Sequence, residues 1–192
     1  MGTAMRIAII YYSGAGHTRV LAEHVASGIR AEGVDELRLI DVEKMAAPDW
    51  AYLDQADAMV FGSPTYMGSA AAGFKTFMDV SSDVWDTLAW RDKIAAGFSV
   101  AAFPSGDKLS TLIQLSVFAA QHAMIWVGVD DVGAPVDMSK PGINRDGSSL
   151  GLMATSSRDK TLMIDQGDAE TARLFGARIA RVTRRWVAAQ KT

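Results

Sequence analysis

The stretch "MRIAIIYYSGAGHTRVLAEHVASGIRAEG", residues 5–33, joins a strand pattern, a glycine-rich loop and a helix pattern. Residues 5–12 form a nearly continuous apolar run rich in β-branched and aromatic side chains, which is typical of a strand buried on both faces. Apolar residues then recur at helical spacing from Val20 to Ile29, and Gly33 is a typical residue just beyond a helix C-terminus. A buried strand followed by a loop and a helix predicts a parallel sheet.

The same alternation of strand and helix patterns continues along the chain. We predict further strands over 35–42, 58–64, 93–103 and 125–129 and a return to the sheet over 150–156. We predict helices over 70–85, 109–125 and 168–189, and a short helical or irregular piece over 48–57. This order predicts an α/β fold with a doubly wound, five-stranded parallel sheet and helices on both faces. Since no linker or repeat divides the chain, we expect a single domain over residues 1–192.

The composition excludes several classes of protein. With 49% hydrophobic and 21% charged residues, the 192-residue chain resembles a compact soluble domain. A net charge of −3 without basic runs argues against nucleic-acid binding. No apolar stretch reaches the roughly 18 to 20 residues of a membrane span and no signal-peptide pattern is present, so we expect a cytoplasmic protein. The chain has no cysteine, which excludes disulfides and thiolate chemistry, and its histidines and carboxylates predict no metal site.

Ligands of such sheets bind beyond the carboxyl ends of the strands, which directs attention to loop 13–18. The loop enters a helix, whose first N–H groups and dipole favour an anion. A Walker loop would need a lysine, and a dinucleotide loop would need a third glycine where Arg19 stands, although Asp41 is placed like a ribose-binding acid. The sequence therefore favours a monophosphate. A plain glycine-rich turn with a helix cap remains an alternative.

Two motifs carry a resemblance to a known family. The stretch "YYSGAGHT", residues 11–18, resembles the phosphate loop of flavodoxin-like FMN proteins, and "FGSPTYMGSAAAGFKTFMD", residues 61–79, resembles their second flavin loop. The histidine before Thr18 is similar to that of the FMN-dependent NAD(P)H:quinone oxidoreductases of the Trp-repressor-binding-protein type. The chain departs from the pattern at Ala15, where a threonine is common, and in the third loop, "AAFPSGDK", which lacks hydroxyl side chains at residues 101–104.

This resemblance implies FMN as cofactor, NAD(P)H as co-substrate and a set of binding residues. The predicted cofactor-binding residues are Ser13, Gly14, Ala15, Gly16, His17 and Thr18 for the phosphate, and Pro64, Thr65, Tyr66, Met67, Gly68, Ala101, Ala102, Phe103, Pro104, Ser105 and Gly106 for the ring. The predicted substrate-side residues are Trp85, Gln121 and His122. Each also has an ordinary structural interpretation, such as a proline turn for the second loop and a packed ring for the tryptophan and the histidine. No side chain is predicted to be catalytic, because the flavin itself carries out the redox chemistry.

The predicted function is the transfer of two electrons from NAD(P)H through bound flavin to a quinone-like acceptor. A flavodoxin-type electron carrier and a non-redox module that binds FMN or another phosphate remain alternatives. Carriers of the flavodoxin type use strong negative charge to steer their partners, and a net charge of −3 argues mildly against that role. The partners that we expect are a quinone or similar small molecule and further copies of the chain in a homodimer or homotetramer, with no nucleic acid and no membrane span.

Overall fold

A computed structural model describes residues 4–157, 159 and 161–190; the remaining ends of the predicted domain, 1–3 and 191–192, lie outside the described residues. The strands are β1 (Arg6–Tyr11), β2 (Glu36–Asp41), β3 (Ala58–Tyr66), β4 (Ser69–Ala70), β5 (Ile94–Ala101), β6 (Ile125–Trp126) and β7 (Leu152–Thr155). The helices are α1 (His17–Ala31), α2 (Ala47–Gln55), α3 (Ala72–Val80), α4 (Ser82–Trp85), α5 (Lys108–Gln121) and α6 (Gln166–Ala189), with a 3-10 turn over Val42–Lys44.

The main sheet is parallel and follows the order β2-β1-β3-β5-β6. Strand β7 pairs with the second half of β5, so β6 and β7 share the fifth position of the sheet. Strand β4 is a two-residue antiparallel addition to the end of β3. The predicted α/β fold with five parallel strand positions is therefore confirmed.

Two apolar layers cover the sheet because side chains alternate along each strand. On β1, Ile7 and Ile9 pack with α1 and α6, whereas Ala8 and Ile10 pack with α2, α3 and α5. Helices α1 and α6 cross at two glycines. A Cβ on Gly28 would stand 1.8 Å from the carbonyl oxygen of Arg173, and one on Gly176 would stand 2.0 Å from that of Val25. The two helix backbones touch at this crossing.

The fifth strand differs from the prediction. We expected a continuous strand over 125–129, but β6 ends at Trp126 and the chain leaves the sheet at Gly128. A Cβ on Gly128 would lie 2.2 Å from the carbonyl oxygen of Ser149, so the two ends of the intervening loop touch there. The N–H of Val129 donates to the same oxygen at 3.0 Å. The chain returns as β7 within 150–156, as predicted, and the segment between is an insertion in the strand.

The predicted helix over 70–85 is divided at Ser81 into α3 and α4. The Ser81 hydroxyl donates to the carbonyl oxygen of Met78 at 2.7 Å and lies 3.0 Å from Nε2 of His122. A buried serine that hydrogen-bonds the preceding turn and a second element favours a break in the helix. Within the described residues, no helix is long and apolar enough to cross a membrane.

Candidate functional site

Three loops meet at the carboxyl edge of the sheet around a cavity of about 240 Å³. Eight predicted residues line it, namely Ala15, His17, Thr18, Pro64, Thr65, Tyr66, Ala101 and Ala102. Two residues that the sequence analysis missed, Val100 and Ser156, complete the lining. We call this cavity the cradle. Its position is the one expected for a ligand of a doubly wound sheet.

The first loop presents the N-terminus of α1 to the cradle. Gly16 is the N-cap residue and has a φ of 90°, a left-handed conformation that glycine adopts without a steric penalty. The Ser13 hydroxyl accepts the N–H of Arg19 at 3.0 Å, and the N–H of Val20 donates to the carbonyl of Gly16. The N–H groups that precede them in the first helical turn point out of the helix, where they favour a bound anion.

His17 brings an unsatisfied polar atom to this loop. Its Nε2 atom is buried and has no hydrogen-bond partner within the described part of the chain, although the side chain lines the cradle. A buried polar atom without a partner costs about 1–3 kcal/mol. Beside a helix N-terminus, a histidine ring nitrogen that carries its hydrogen is suited to an anionic ligand.

The second loop places a hydroxyl cluster and an exposed turn beside the cradle. Thr65 Oγ1 lies 2.8 Å from both Ser99 Oγ and Thr111 Oγ1, so one hydroxyl joins β3, β5 and α5. The chain then turns between β3 and β4 through Met67 and Gly68, which have φ values of 48° and 78°. The side chain of Met67 is fully exposed. This loop therefore has a fixed base and a tip in solvent.

Tyr66 and Tyr12 converge above the first loop. A Cβ on Gly14 would lie 3.0 Å from the Tyr66 hydroxyl and 3.3 Å from the Tyr12 hydroxyl, while the Tyr12 ring covers Gly73. Burial raises the pKa of the Tyr66 phenol, and the neighbouring Tyr12 adds to this increase. The Tyr66 phenol hence stays protonated near neutral pH and is available as a hydrogen-bond donor.

The third loop reaches the cradle only with its first residues. Ala101 and Ala102 line the cavity, whereas Phe103 is 70% exposed. Pro104 and Ser105 instead line a separate open depression of about 850 Å³ beside α5. A Cβ on Gly106 would lie 2.5 Å from that of Ala101, so the loop folds back tightly on the end of β5.

The predicted substrate-side residues lie together but away from the cradle. Trp85 Nε1 donates to the carbonyl of Gln121 at 2.9 Å, and both residues line a depression of about 310 Å³ with His122. Loop 101–107 precedes α5 and Gln121 ends it, and 14 residues of helix span about 21 Å. Within one chain these three residues therefore do not share a cavity with the phosphate loop.

His122 is also more buried than a ligand-facing residue would be. Its ring is 2% exposed and lies with its centroid 4.4 Å from that of Trp90. Burial lowers the pKa of His122, so its ring is neutral at neutral pH. Of the two candidates at this position, Gln121 is the one at the surface.

The candidate ribose-binding acid has a structural role. Asp41, the candidate ribose-binding acid, accepts the N–H of Glu43 at 3.1 Å and so caps the turn after β2. Within the described residues, no group of three or more His, Asp or Glu side chains is arranged to hold a metal ion.

Comparisons with known proteins identify the family. Residues 50–135 match the sequence profile of NADPH-dependent FMN reductases. The chain is 39% identical over 177 residues to flavodoxin FldP of Pseudomonas aeruginosa, an alignment that covers 91% of this chain and 94% of the relative. The chain belongs to the flavodoxin-like family of FMN-dependent oxidoreductases. Membership in this family implies FMN as the cofactor and NAD(P)H as the co-substrate.

Two other comparisons agree with this family. An NAD(P)H dehydrogenase (quinone) of Trichlorobacter lovleyi is 26% identical over 204 residues, covering 95% of this chain and 99% of the relative. The crystal structure of a flavodoxin, WrbA-like protein from Agrobacterium tumefaciens superposes with a TM-score of 0.75 at 37% identity, covering 95% of this chain and 99% of that one. An archaeal flavodoxin at 19% identity, with a TM-score of 0.66, shows the same fold.

The residues of the cradle fit an FMN phosphate. The first turn of α1, which Gly16 caps in a left-handed conformation, lines the cavity through His17 and Thr18. The buried Nε2 of His17 has no partner within the described residues. The rest of the lining is mainly apolar, with Pro64, Val100 and Ala101 among its members, which suits a flat ring system. The oxidoreductase family and the geometry of the cradle are therefore consistent with each other.

Proposed function

We propose that the protein is an FMN-dependent NAD(P)H:quinone oxidoreductase that transfers two electrons from NAD(P)H through bound FMN to a quinone-like acceptor. The observation that carries this proposal is the convergence of the three loops on the cradle, with the unpartnered Nε2 of His17 at its anion-binding end. The match to NADPH-dependent FMN reductases, which spans the second and third loops, and the similarity to a quinone dehydrogenase support the reaction class.

The chain's own residues bind and orient in this proposal. The N–H groups at the start of α1 and the side chains of Ser13, His17 and Thr18 hold the phosphate, while Gly14, Ala15 and Gly16 let it approach the backbone. Residues 64–68 and 101–106 would hold the ring system, and of these Pro64, Thr65, Tyr66, Ala101 and Ala102 line the cradle. FMN, when bound, supplies the hydride and electron transfer chemistry.

We propose that Trp85 and Gln121 serve the acceptor side, with the buried His122 packed behind them. Because the length of α5 separates them from the cradle of their own chain, they would contact a bound ring only across an interface between two copies of the chain.

An apolar stripe on α5 supports such an interface: Leu109, Ile113 and Val117 recur every four residues and are each about half exposed. We therefore propose a homodimer or homotetramer, which multi-angle light scattering of wild type and Ile113→Glu would test. A monomeric wild-type protein would contradict the proposal.

The test of the reaction is a rapid-mixing experiment on the FMN-loaded protein without oxygen. We expect NADPH or NADH to bleach the absorbance of oxidised flavin, and benzoquinone to restore it. Bleaching that is not followed by reoxidation would exclude the quinone acceptor. Loss of FMN on gel filtration at micromolar protein would contradict the cofactor site itself.

The alternative role of an electron carrier is favoured by one comparison, since the relative at 39% identity is named a flavodoxin. The same experiment separates the two. A carrier would bind FMN but would not be bleached by either pyridine nucleotide, and it would accept electrons only from a separate reductase. A colourless protein that takes up no flavin would instead point to a module that holds another phosphate.

A further inference from the structure

Lys108 is a fully buried lysine at the first position of α5. Its ammonium group donates to Asp146 Oδ2 at 2.7 Å, to the carbonyl oxygens of Ala154 at 3.2 Å and Phe103 at 3.4 Å, and to Thr155 Oγ1 at 3.3 Å. A cation at a helix N-terminus opposes the helix dipole, and burial removes it from water. Both effects disfavour lysine here unless its contacts compensate for them.

These contacts join three segments that the chain brings together from far apart. Phe103 belongs to the third loop, Ala154 and Thr155 end β7, and Asp146 lies in the insertion between β6 and β7. Ser156, which lines the cradle, directly follows Thr155 and donates its N–H to the carbonyl of Ala101 at 2.9 Å. One ammonium group therefore holds both the third loop and the end of β7 where they form a wall of the cradle.

A second set of charges fixes the same strand end. Asp168, at the start of α6, is 2% exposed and accepts the N–H of Thr155 at 2.8 Å. Arg145, next to Asp146 in the chain, pairs with Asp168 at 2.9 Å and with Asp165 at 2.8 Å. The guanidinium of Arg145 pairs with two carboxylates. Arg145 thus attaches the insertion to α6, and Asp146 attaches it to Lys108 of α5. Lys108 also contacts the third loop through the carbonyl of Phe103.

We propose that Lys108 is a positioning residue that sets the ring-side wall of the flavin cradle through Phe103, Ala154 and Thr155. This inference rests on the proposed placement of FMN in the cradle. None of the four oxygens that Lys108 contacts belongs to residues 13–18, so its influence falls on the flavin ring and not on the phosphate. Such a wall, ordered before the flavin binds, lowers the entropy cost of binding.

The experiment separates positioning from simple stability with a pair of variants. Lys108→Met leaves the charge of Asp146 buried and unpaired, whereas the double variant Lys108→Met with Asp146→Asn removes both charges. The exposed Lys75→Met is the matched control. Urea denaturation measures the stability of each apoprotein. Quenching of flavin fluorescence measures the dissociation constants for FMN and for riboflavin, which lacks the phosphate.

We expect Lys108→Met to lower apoprotein stability and to raise the dissociation constants for FMN and riboflavin by the same factor, about tenfold or more. The double variant should regain most of the stability but keep the weakened affinity for both flavins, because the three contacts to the wall are still missing. This variant also keeps the test valid if the single variant fails to fold. The control should behave as wild type.

Three results would overturn the inference. Recovery of flavin affinity together with stability in the double variant would show a purely structural role. A loss confined to FMN, with riboflavin affinity unchanged, would place the effect at the phosphate. Unchanged affinity in either variant would exclude positioning. Failure of the wild-type protein to bind FMN would instead refute the proposed function, so the two failures are distinguishable.

Discussion

Replacing His17 by alanine tests the phosphate end of the cradle in its simplest form. His17 lines the cradle, and its buried Nε2 atom has no hydrogen-bond partner within the described residues. A ligand phosphate would satisfy this atom, and riboflavin, which has no phosphate, would not. The variant should therefore distinguish between the two flavins.

The size of the effect follows from the hydrogen bond that is lost. A hydrogen bond to a charged group contributes about 1.5–3 kcal/mol, which corresponds to a rise in the FMN dissociation constant of about 10- to 150-fold. Riboflavin affinity should change by less than about twofold, since no contact to it is removed. In the apoprotein, the substitution removes an unsatisfied polar atom that costs about 1–3 kcal/mol of stability. It also removes the favourable packing of the ring. These contributions oppose each other, so we expect the free energy of unfolding of the apoprotein to change by less than about 1 kcal/mol.

The assay is a fluorescence titration of apoprotein with each flavin, accompanied by urea denaturation. His24→Ala, two turns further along the same helix and outside the cradle lining, is the control. Equal weakening of FMN and riboflavin would show that His17 acts through the shape of the loop. An unchanged FMN affinity would remove His17 from the phosphate site.

Three further predictions concern the stability of the fold. Because burial lowers the pKa of His122 below its ordinary 6.5, the native state should lose stability as the pH falls below that value. Urea denaturation at about pH 7.5 and about pH 5 should show a smaller loss of stability for His122→Phe than for the wild type. Burial raises the pKa of Tyr52 to about 12, so stability should fall between about pH 10 and about pH 12 in the wild type, and the same measurement on Tyr52→Phe should lack this fall. Equal pH profiles of wild type and variant would contradict either prediction. Gly176→Ala would press a methyl group against the carbonyl oxygen of Val25 and should lower the free energy of unfolding by about 3 kcal/mol, whereas the exposed Arg185→Ala on the same helix should change it by less than about 0.5 kcal/mol in chemical denaturation.

The fold was largely predictable because its signals are local. The apolar run of β1 and the helical spacing in α1 reflect burial of a strand on two faces and of a helix on one, and both act within a few residues. The break in the fifth strand was not predictable in this way. Val127 and Val129 are suited to a strand, and the chain leaves the sheet where Gly128 meets Ser149, a contact between residues that are distant in the sequence.

In the candidate site, too, the residues with a local sequence signal were predictable and those that depend on distant contacts were not. The first two loops were predictable because glycine and proline mark turns wherever they occur. Ser156 and Lys108 carried no such signal, since a serine beyond a strand and a lysine at a helix start are ordinary surface residues in a sequence. The prediction for Trp85 and His122 came from resemblance alone. The length of α5, which separates them from the cradle, can be evaluated only once the direction of that helix is known.

The divided fifth position also affects how the protein behaves at high concentration. An edge strand with an unbroken row of free N–H and C=O groups can recruit the edge of another molecule and so start aggregation. Here that edge consists of two residues in β6 and four in β7, with an insertion between them. The opposite edge, β2, carries Glu36, Arg38 and Asp41. Neither edge offers a long apolar template, so the sheet is protected against intermolecular extension on both sides.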